Sequence, residues 1–256
     1  MPSRRAILEK HRWLPLVLPL VVFMLVGSLE PRPAPRTESG PPQASWMVLP
    51  SVPYSAYPWV YMAKIVLSSA TLAVVWPGFR EFPFRISAAA IEVGVIGVVI
   101  WIVLCQLDLE SSLLKGVGLG WLLQTGARSA FDPLAQLRAS PAWAWGFLAV
   151  RFFGLAVVAP LAEEAFLRGF VMRFLVAPEW WKVPFGRVNA VALVAGTAIP
   201  VLMHPSGEWL AAAVWFSMVT GLMLRTKNFW DCVAAHATTN LLLGLYVVSS
   251  GQWQLL

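Results

Sequence analysis

The sequence has little charge for its size. Only 12% of its 256 residues are Asp, Glu, Lys or Arg, whereas 58% are hydrophobic and the mean hydropathy is +0.68. About a quarter of the residues in a soluble globular domain are charged, so this composition excludes an ordinary soluble protein and predicts an integral membrane protein. The net charge of +6 is spread over the ends of apolar runs, which favours an orientation signal over a nucleic-acid partner.

Cysteine and paired metal ligands are also scarce. Cys105 and Cys232 lie in or beside apolar segments and are far apart in sequence, so they predict neither a disulfide framework nor a metal site. No His-Glu-x-x-His pattern is present, so no helix presents two histidines and a base on one face. The sequence shows no evident internal repeat.

Long apolar runs, in contrast, are abundant. A helix of about 20 apolar residues crosses the bilayer core of about 30 Å. We therefore predict an all-α polytopic transmembrane helical bundle of about seven spans (six to eight), at residues 13–29, 57–76, 87–107, 142–175, 188–204, 209–224 and 229–248. The first run could be a signal peptide, but the spans that follow favour an uncleaved first helix. Residues 30–58 predict a proline-rich solvated loop, and residues 108–141 predict an interfacial helix and a loop.

The basic residues predict the orientation of these spans. If the N-terminus is cytoplasmic, eleven basic residues lie at inner ends and five at outer ends, as the positive-inside rule requires. The inner ones are Arg4, Arg5, Lys10, Arg12, Arg80, Arg85, Arg173, Lys182, Arg187, Arg225 and Lys227, and the outer ones are Arg32, Arg36, Lys115, Arg128 and Arg138. We expect an integral protein of the cell (inner) membrane.

Three ionisable residues interrupt the run at 142–175. They are Glu163, Glu164 and Arg168, and charges within a membrane helix mark functional sites by default. Glu164 and Arg168 are four residues apart and can pair on one helical face, which leaves Glu163, about 100° round the helix, available for chemistry. Pro160 predicts a kink just before the acids. The alternative is an ion pair that only joins two helices.

Two later runs carry histidines. His204 ends the fifth run, and the seventh contains His236 with Asn240 one turn later. Each side chain alone could simply bond to a neighbouring helix. Together with the two acids they predict hydrolysis by water, with a carboxylate as base, a histidine that positions and donors that stabilise an oxyanion. A rise of about 1.5 Å per residue puts Glu163, His204 and His236 at depths of about 16, 24 and 10 Å, so they meet only if the fifth helix tilts or starts outside the hydrocarbon layer.

The order and spacing of these residues resemble a known family over about residues 142–248. The motifs are Glu163-Glu164-x-x-x-Arg168, a histidine about forty residues on, and His236-x-x-x-Asn240. They resemble the CPBP family of intramembrane endopeptidases, named for CAAX prenyl proteases and bacteriocin-processing enzymes and also called Abi, and in particular the type II CAAX prenyl endopeptidases. The family usually has Phe-x-x-x-His at the second motif, whereas this sequence has Pro at position 200.

The resemblance implies a role for each candidate residue. The implied roles are a water-activating base for Glu163, a water-holding histidine for His204, oxyanion stabilisation for His236 and Asn240, and a brace formed by Glu164 with Arg168. It also implies two parts of the chain, with N-terminal transmembrane helices at 1–141 and a catalytic helical core at 142–256. The expected partners are the lipid bilayer and a peptide or protein substrate in the membrane, prenylated or bearing a leader or sorting segment.

Two alternatives stay open at this point. Some accounts of the family describe metalloproteases, and Glu163, His204 and His236 would then hold Zn²⁺. We prefer no cofactor, because the sequence does not present these ligands on one helix. The second alternative is a non-enzymatic membrane protein, either a proton or ion pathway or an inactive assembly factor, since proton relays also use intramembrane acids and histidines.

Overall fold

A computed structural model describes residues 4–31, 52–124 and 128–256, and all regular structure in these ranges is helical. This confirms the predicted all-α class. The helices are α1 (Arg4–Lys10), α2 (Leu14–Gly27), α3 (Tyr57–Val75), α4 (Ala88–Leu107), α5 (Leu109–Gly116), α6 (Pro133–Gln136), α7 (Pro141–Val176), α8 (Ala190–Met203), α9 (Trp209–Thr226) and α10 (Phe229–Ser250).

The helices that can cross a membrane match the predicted runs. Five stretches are long and apolar enough, at Tyr54–Glu81, Ala88–Gly116, Pro141–Val176, Ser206–Thr226 and Phe229–Ser250. The first and fifth runs form the shorter apolar helices α2 and α8, of 14 residues each, or about 21 Å of helix. The chain is therefore an integral membrane protein whose bundle combines long and short helices. Most of the predicted proline-rich loop lies outside the described residues.

Consecutive apolar helices run in opposite directions. At one end of the bundle, hydrogen bonds join Arg173 to Glu81 at 2.9 Å, Ser87 to Asp231 at 2.8 Å and Trp230 to Phe82 at 3.0 Å. At the other end, they join Tyr54 to Ser129 at 2.8 Å, Leu210 to Glu110 at 2.8 Å and Arg128 to Glu208 at 2.7 Å. This alternation is what seven spans in series require, and the cytoplasmic placement of the first end stays a prediction.

Helix α7 is continuous over 36 residues but changes its winding twice. Wide π turns occupy Gly154–Val158 and Ala165–Val171, on either side of Pro160 and the acidic pair. Proline has no N–H for the carbonyl four residues earlier, and π turns are common at functional sites. The irregularity that Pro160 predicts therefore takes the form of wide turns beside the acids.

Helix α4 approaches α10 very closely at Gly94. A Cβ atom at this position would lie 2.8 Å from the backbone oxygen of Ala235, and small residues allow such approach between membrane helices. The contact lets the Thr239 hydroxyl donate to the Gly94 carbonyl at 2.9 Å and accept from the Trp215 indole at 3.0 Å. Trp215 is thereby held against the ring of His236, with the ring centroids 4.6 Å apart.

The two predicted parts of the chain pack together. One buried hydrophobic cluster combines Val98 with Trp215, and a second combines Leu16 with Phe147. Each cluster therefore draws on both sides of position 141. The boundary between the two parts stays a prediction.

Candidate active site

The two adjacent acids lie in different environments. The side chain of Glu164 is completely buried; one carboxylate oxygen pairs with Nη1 of Arg168, and the other lies 3.0 Å from Nδ1 of His236. The side chain of Glu163 is 27% exposed and lines a cavity. The helical spacing thus separates an acid whose two oxygens are both engaged from an acid that faces open space.

Arg168 connects this pair to helix α9. Its Nη2 donates to the backbone oxygen of Phe216 at 3.2 Å and lies 3.4 Å from the hydroxyl of Thr220. The ion pair therefore does join helices, as the structural alternative supposes. It also has a further consequence, because Glu164 in turn holds the imidazole of His236.

His236 is oriented by its contact with Glu164. The carboxylate accepts a hydrogen bond, so Nδ1 of the ring donates and Nε2 is the nitrogen turned towards Glu163. The distance from Nε2 to the nearer oxygen of Glu163 is 3.8 Å, which is longer than a hydrogen bond. The ring of Trp215 packs against His236 and restricts its rotation.

His204 follows directly after α8 and uses one ring nitrogen locally. Its Nδ1 donates to the backbone oxygen of Pro200 at 2.7 Å, so Nε2 is the acceptor of the neutral ring. The rings of Trp101 and Phe216 pack edge-on against the imidazole. The departure from the family pattern at position 200 leaves this bond intact, because every residue type supplies a backbone carbonyl.

Asn240 lies one turn after His236 on α10. Its side-chain amide donates to the backbone oxygen of Leu155 at 3.0 Å, within the first π turn of α7. An amide NH₂ group has two donors, so one N–H is left for another acceptor. The π turn thus provides the carbonyl that orients this side chain.

One cavity of about 500 Å³ brings four of the predicted residues together. Glu163, His204, His236 and Asn240 all line it, whereas Glu164 and Arg168 lie behind its wall. The different depths counted along the sequence do not prevent this, because α8 is only 14 residues long and its end need not lie deep. A smaller cavity of about 190 Å³, with apolar walls from α2, α7 and α8, also contacts Glu163 and His204.

Three cations that line the larger cavity were not assigned to the site from the sequence. Lys64 is the first of these cations, and it forms an ion pair with Glu30. The signal that could have found this set is the presence of basic residues within or beside apolar runs.

The other two cations are Arg128 and Arg151. Arg128 donates to both oxygens of Glu208, at 2.7 and 2.6 Å. Burial lowers the pKa of Arg128, but the charge of Glu208 and its hydrogen bonds outweigh that effect and raise it above the ordinary value. Arg151 donates to the backbone oxygen of Phe131 at 2.7 Å. Basic side chains thus form part of the wall of the cavity that contains Glu163.

The described residues do not form a metal-binding cluster. No group of three or more His, Cys, Asp or Glu side chains within them is arranged to hold an ion. Nδ1 of His236 and Nδ1 of His204 are already engaged by Glu164 and Pro200. Each ring keeps Nε2 for a further partner, so the preference for a metal-free site over zinc at Glu163, His204 and His236 stays a prediction.

Comparison with known proteins gives a family match over the part of the chain that contains these residues. Residues 144–242 match the family described as type II CAAX prenyl endopeptidase Rce1-like. No curated protein and no solved structure matches the chain. The matched range includes the positions of all six candidate residues, and the resemblance to this family is confirmed over that range.

Proposed function

We propose that this protein is an intramembrane endopeptidase in which Glu163 activates water to hydrolyse a peptide bond of a membrane-associated substrate. The substrate would be a prenylated peptide or one with a leader or sorting segment. The family supports the coarser assignment to CAAX-type proteases. The observation that carries the finer one is the partly exposed carboxylate of Glu163, which faces the cavity and lies 3.8 Å from Nε2 of His236.

The hydrogen-bond partners of the two acids indicate a different role for each of them. A general base needs a free oxygen within about 2.6–3.2 Å of the proton that it takes. Both oxygens of Glu164 are engaged, by Arg168 and by His236. Glu163 has no such partner at hydrogen-bonding distance among the described residues and faces the cavity. Glu163 is therefore the base, and Glu164 positions His236.

The hydrolysis then proceeds in two steps. Water held by His204 loses a proton to Glu163, and its oxygen attacks the carbonyl carbon of the peptide bond. The oxyanion accepts hydrogen bonds from the free N–H of Asn240 and from Nε2–H of His236. This step requires the imidazolium form of His236 from the outset, with its Nδ1–H on the carboxylate of Glu164. Glu163 returns its proton to the leaving nitrogen as the C–N bond breaks, which yields a carboxylic acid and an amine. Proton transfer between these two products gives a carboxylate and an ammonium group.

The test compares wild type with Glu163→Gln, which removes the base without changing the side-chain volume. Cleavage should fall by about 10²- to 10⁴-fold, the usual contribution of a general base. Peptide profiles of membranes from cells that carry each form would show the substrate accumulate in the variant. Glu179→Gln, at an exposed residue of the Trp180–Lys182 turn region, is the matched control.

Two outcomes would contradict the proposal. Unchanged cleavage in Glu163→Gln would show that another group is the base. Identical peptide profiles in the presence and absence of folded wild type would favour the non-enzymatic alternative.

A further inference from the structure

Residues 251–256, which follow α10, lie against the active-site cavity, and the mechanism above does not use them. Leu255 and Leu256 line this cavity and are buried. Trp253 is buried as well, and its ring centroid lies 5.5 Å from the guanidinium of Arg151 in the cavity wall. The chain therefore covers part of its own active-site cavity with the segment that follows the last helix.

The turn into this segment depends on Gly251. This residue ends α10 with φ of +73°, and its N–H donates to the backbone oxygen of Val247 at 2.8 Å. Residues with a Cβ rarely adopt this left-handed conformation. A Cβ at this position would have no neighbour within 4 Å, so the backbone conformation, and not a lack of space, calls for glycine here. One residue thus sets the direction of the segment relative to α10.

The hydrogen bonds of this segment attach it to the end of its own helix. Among the described residues, backbone bonds join Trp253 to Gly251 at 3.0 Å and Leu256 to Trp253 at 3.2 Å, and the side chain of Gln252 donates to the hydroxyl of Tyr246 at 2.9 Å. Its contacts with the cavity wall are ring and apolar packing, which is not directional. The segment can therefore move away without breaking a hydrogen bond to another described part of the protein.

We propose that residues 251–256 form a lid on the active-site cavity, which opens by rotation of the backbone at Gly251 and admits a ligand when it is open. Hinges of such lids are a few residues at the ends of helices or loops that absorb the change in φ and ψ. The inference goes beyond the proposed function, because it concerns access to the cavity and holds whether or not a peptide bond is hydrolysed there.

Labelling of a cysteine in the cavity wall measures how often the lid is open. Leu243 lines the cavity, is 6% exposed and packs in the same hydrophobic cluster as Trp253 and Leu255. The full chain with Leu243→Cys, in a background without the native cysteines, is treated with N-ethylmaleimide in detergent micelles, and mass spectrometry gives the rate of labelling. When opening and closing are fast relative to the reaction, this rate follows the population of the open form.

Two further substitutions, both at the hinge, give different expectations. Gly251→Ala disfavours the closed conformation, because a Cβ is strained in the left-handed region, so the labelling rate should rise by about 5- to 30-fold. Gly251→Asn is the matched control: asparagine tolerates this conformation, so the rate should stay close to that with glycine. Removal of residues 252–256 should raise the rate at least as much as Gly251→Ala does.

A second labelling site distinguishes lid opening from general loosening of the bundle. Ser68 is a fully buried residue of α3 that lies outside the lining of this cavity. Ser68→Cys, in the same cysteine-free background, should therefore be labelled slowly whether position 251 is Gly, Ala or Asn.

Each result decides the inference. Equal rates at Leu243→Cys for Gly251→Ala and Gly251→Asn overturn the lid, and so does a rise at Ser68→Cys as large as that at Leu243→Cys. If the shortened protein does not elute as a folded species, the two hinge variants decide. A rise confined to Leu243→Cys and to Gly251→Ala supports the lid. The same rise in a protein that cleaves no peptide would uphold the lid and refute the proposed hydrolysis.

Discussion

Glu163 and Glu164 are neighbours, yet the change from Glu to Gln should affect stability very differently at the two positions. Glu164 and Arg168 both have fully buried side chains, and removing one partner of a buried ion pair costs about 3–5 kcal/mol. Glutamine can still accept a hydrogen bond from Arg168, so we expect the lower end, about 3 kcal/mol. Glu163 faces the cavity and has no Lys or Arg partner within the described residues, so its substitution should change stability by less than about 0.5 kcal/mol.

Thermal unfolding in detergent, followed by intrinsic fluorescence, measures this difference. The 14 tryptophans provide the signal. For a chain of this size, 1 kcal/mol corresponds to about 2–4 °C in Tm. Glu164→Gln should therefore lower Tm by about 6–12 °C, and Glu163→Gln by less than about 2 °C. Equal shifts for the two variants would refute the assignment of Glu164 as the braced acid.

A double variant tests the cause of the loss. Replacing both partners of a buried ion pair with uncharged groups is often neutral, so Glu164→Gln combined with Arg168→Met should have a higher Tm than Glu164→Gln alone. A double variant that loses the sum of both single effects would place the contribution of Arg168 in its contacts with Phe216 and Thr220.

Three further predictions follow from other features. Purified protein should cleave its peptide after exhaustive chelation and contain no stoichiometric metal; one zinc per chain, with activity lost on its removal and restored on its return, would contradict this. Cysteine labels at positions 3 and 254, in a background without the native cysteines, should react from opposite faces of the membrane; labelling from one face would rule out an odd number of spans. Gly94→Leu should lower Tm by several degrees, because its Cβ would meet the Ala235 carbonyl and overpacking costs about 1–3 kcal/mol. Gly146→Leu, at a site where a Cβ would have no neighbour within 4 Å, should not; equal losses would contradict the close contact of α4 with α10.

The helical class and the seven apolar runs could be predicted because lipid leaves the backbone few choices. Polar backbone groups in the hydrocarbon layer must bond within their own segment, so hydropathy alone indicates helices. The pairing of Glu164 with Arg168 could also be predicted, because residues four apart on a helix lie on the same face. The π turns of α7 could not be predicted, since Pro160 indicates only a lost hydrogen bond and not how the helix accommodates it.

The convergence of the acids and histidines was indicated by their motifs but not by counting residues. The partners that orient them lie far away in sequence: Thr239 is 145 residues from Gly94, and Glu164 is 72 residues from His236. Such pairs depend on how helices pack, which a single sequence does not show. Lys64 is a further example, because the acid that it contacts, Glu30, lies 34 residues before it in the sequence.

The ion pairs of the bundle distinguish charged side chains with a structural role from those that remain available to a ligand. Four cations of the bundle pair with acids. Arg128 with Glu208, Lys64 with Glu30 and Arg173 with Glu81 join separate segments, whereas Arg168 and Glu164 pair within α7. On α7, Glu163 and Arg151 have no such partner within the described residues, and both line one cavity. They have opposite charges and stand about three helical turns apart. Charges without an ion-pair partner in the described part of the fold are the ones that remain available to a ligand of this cavity.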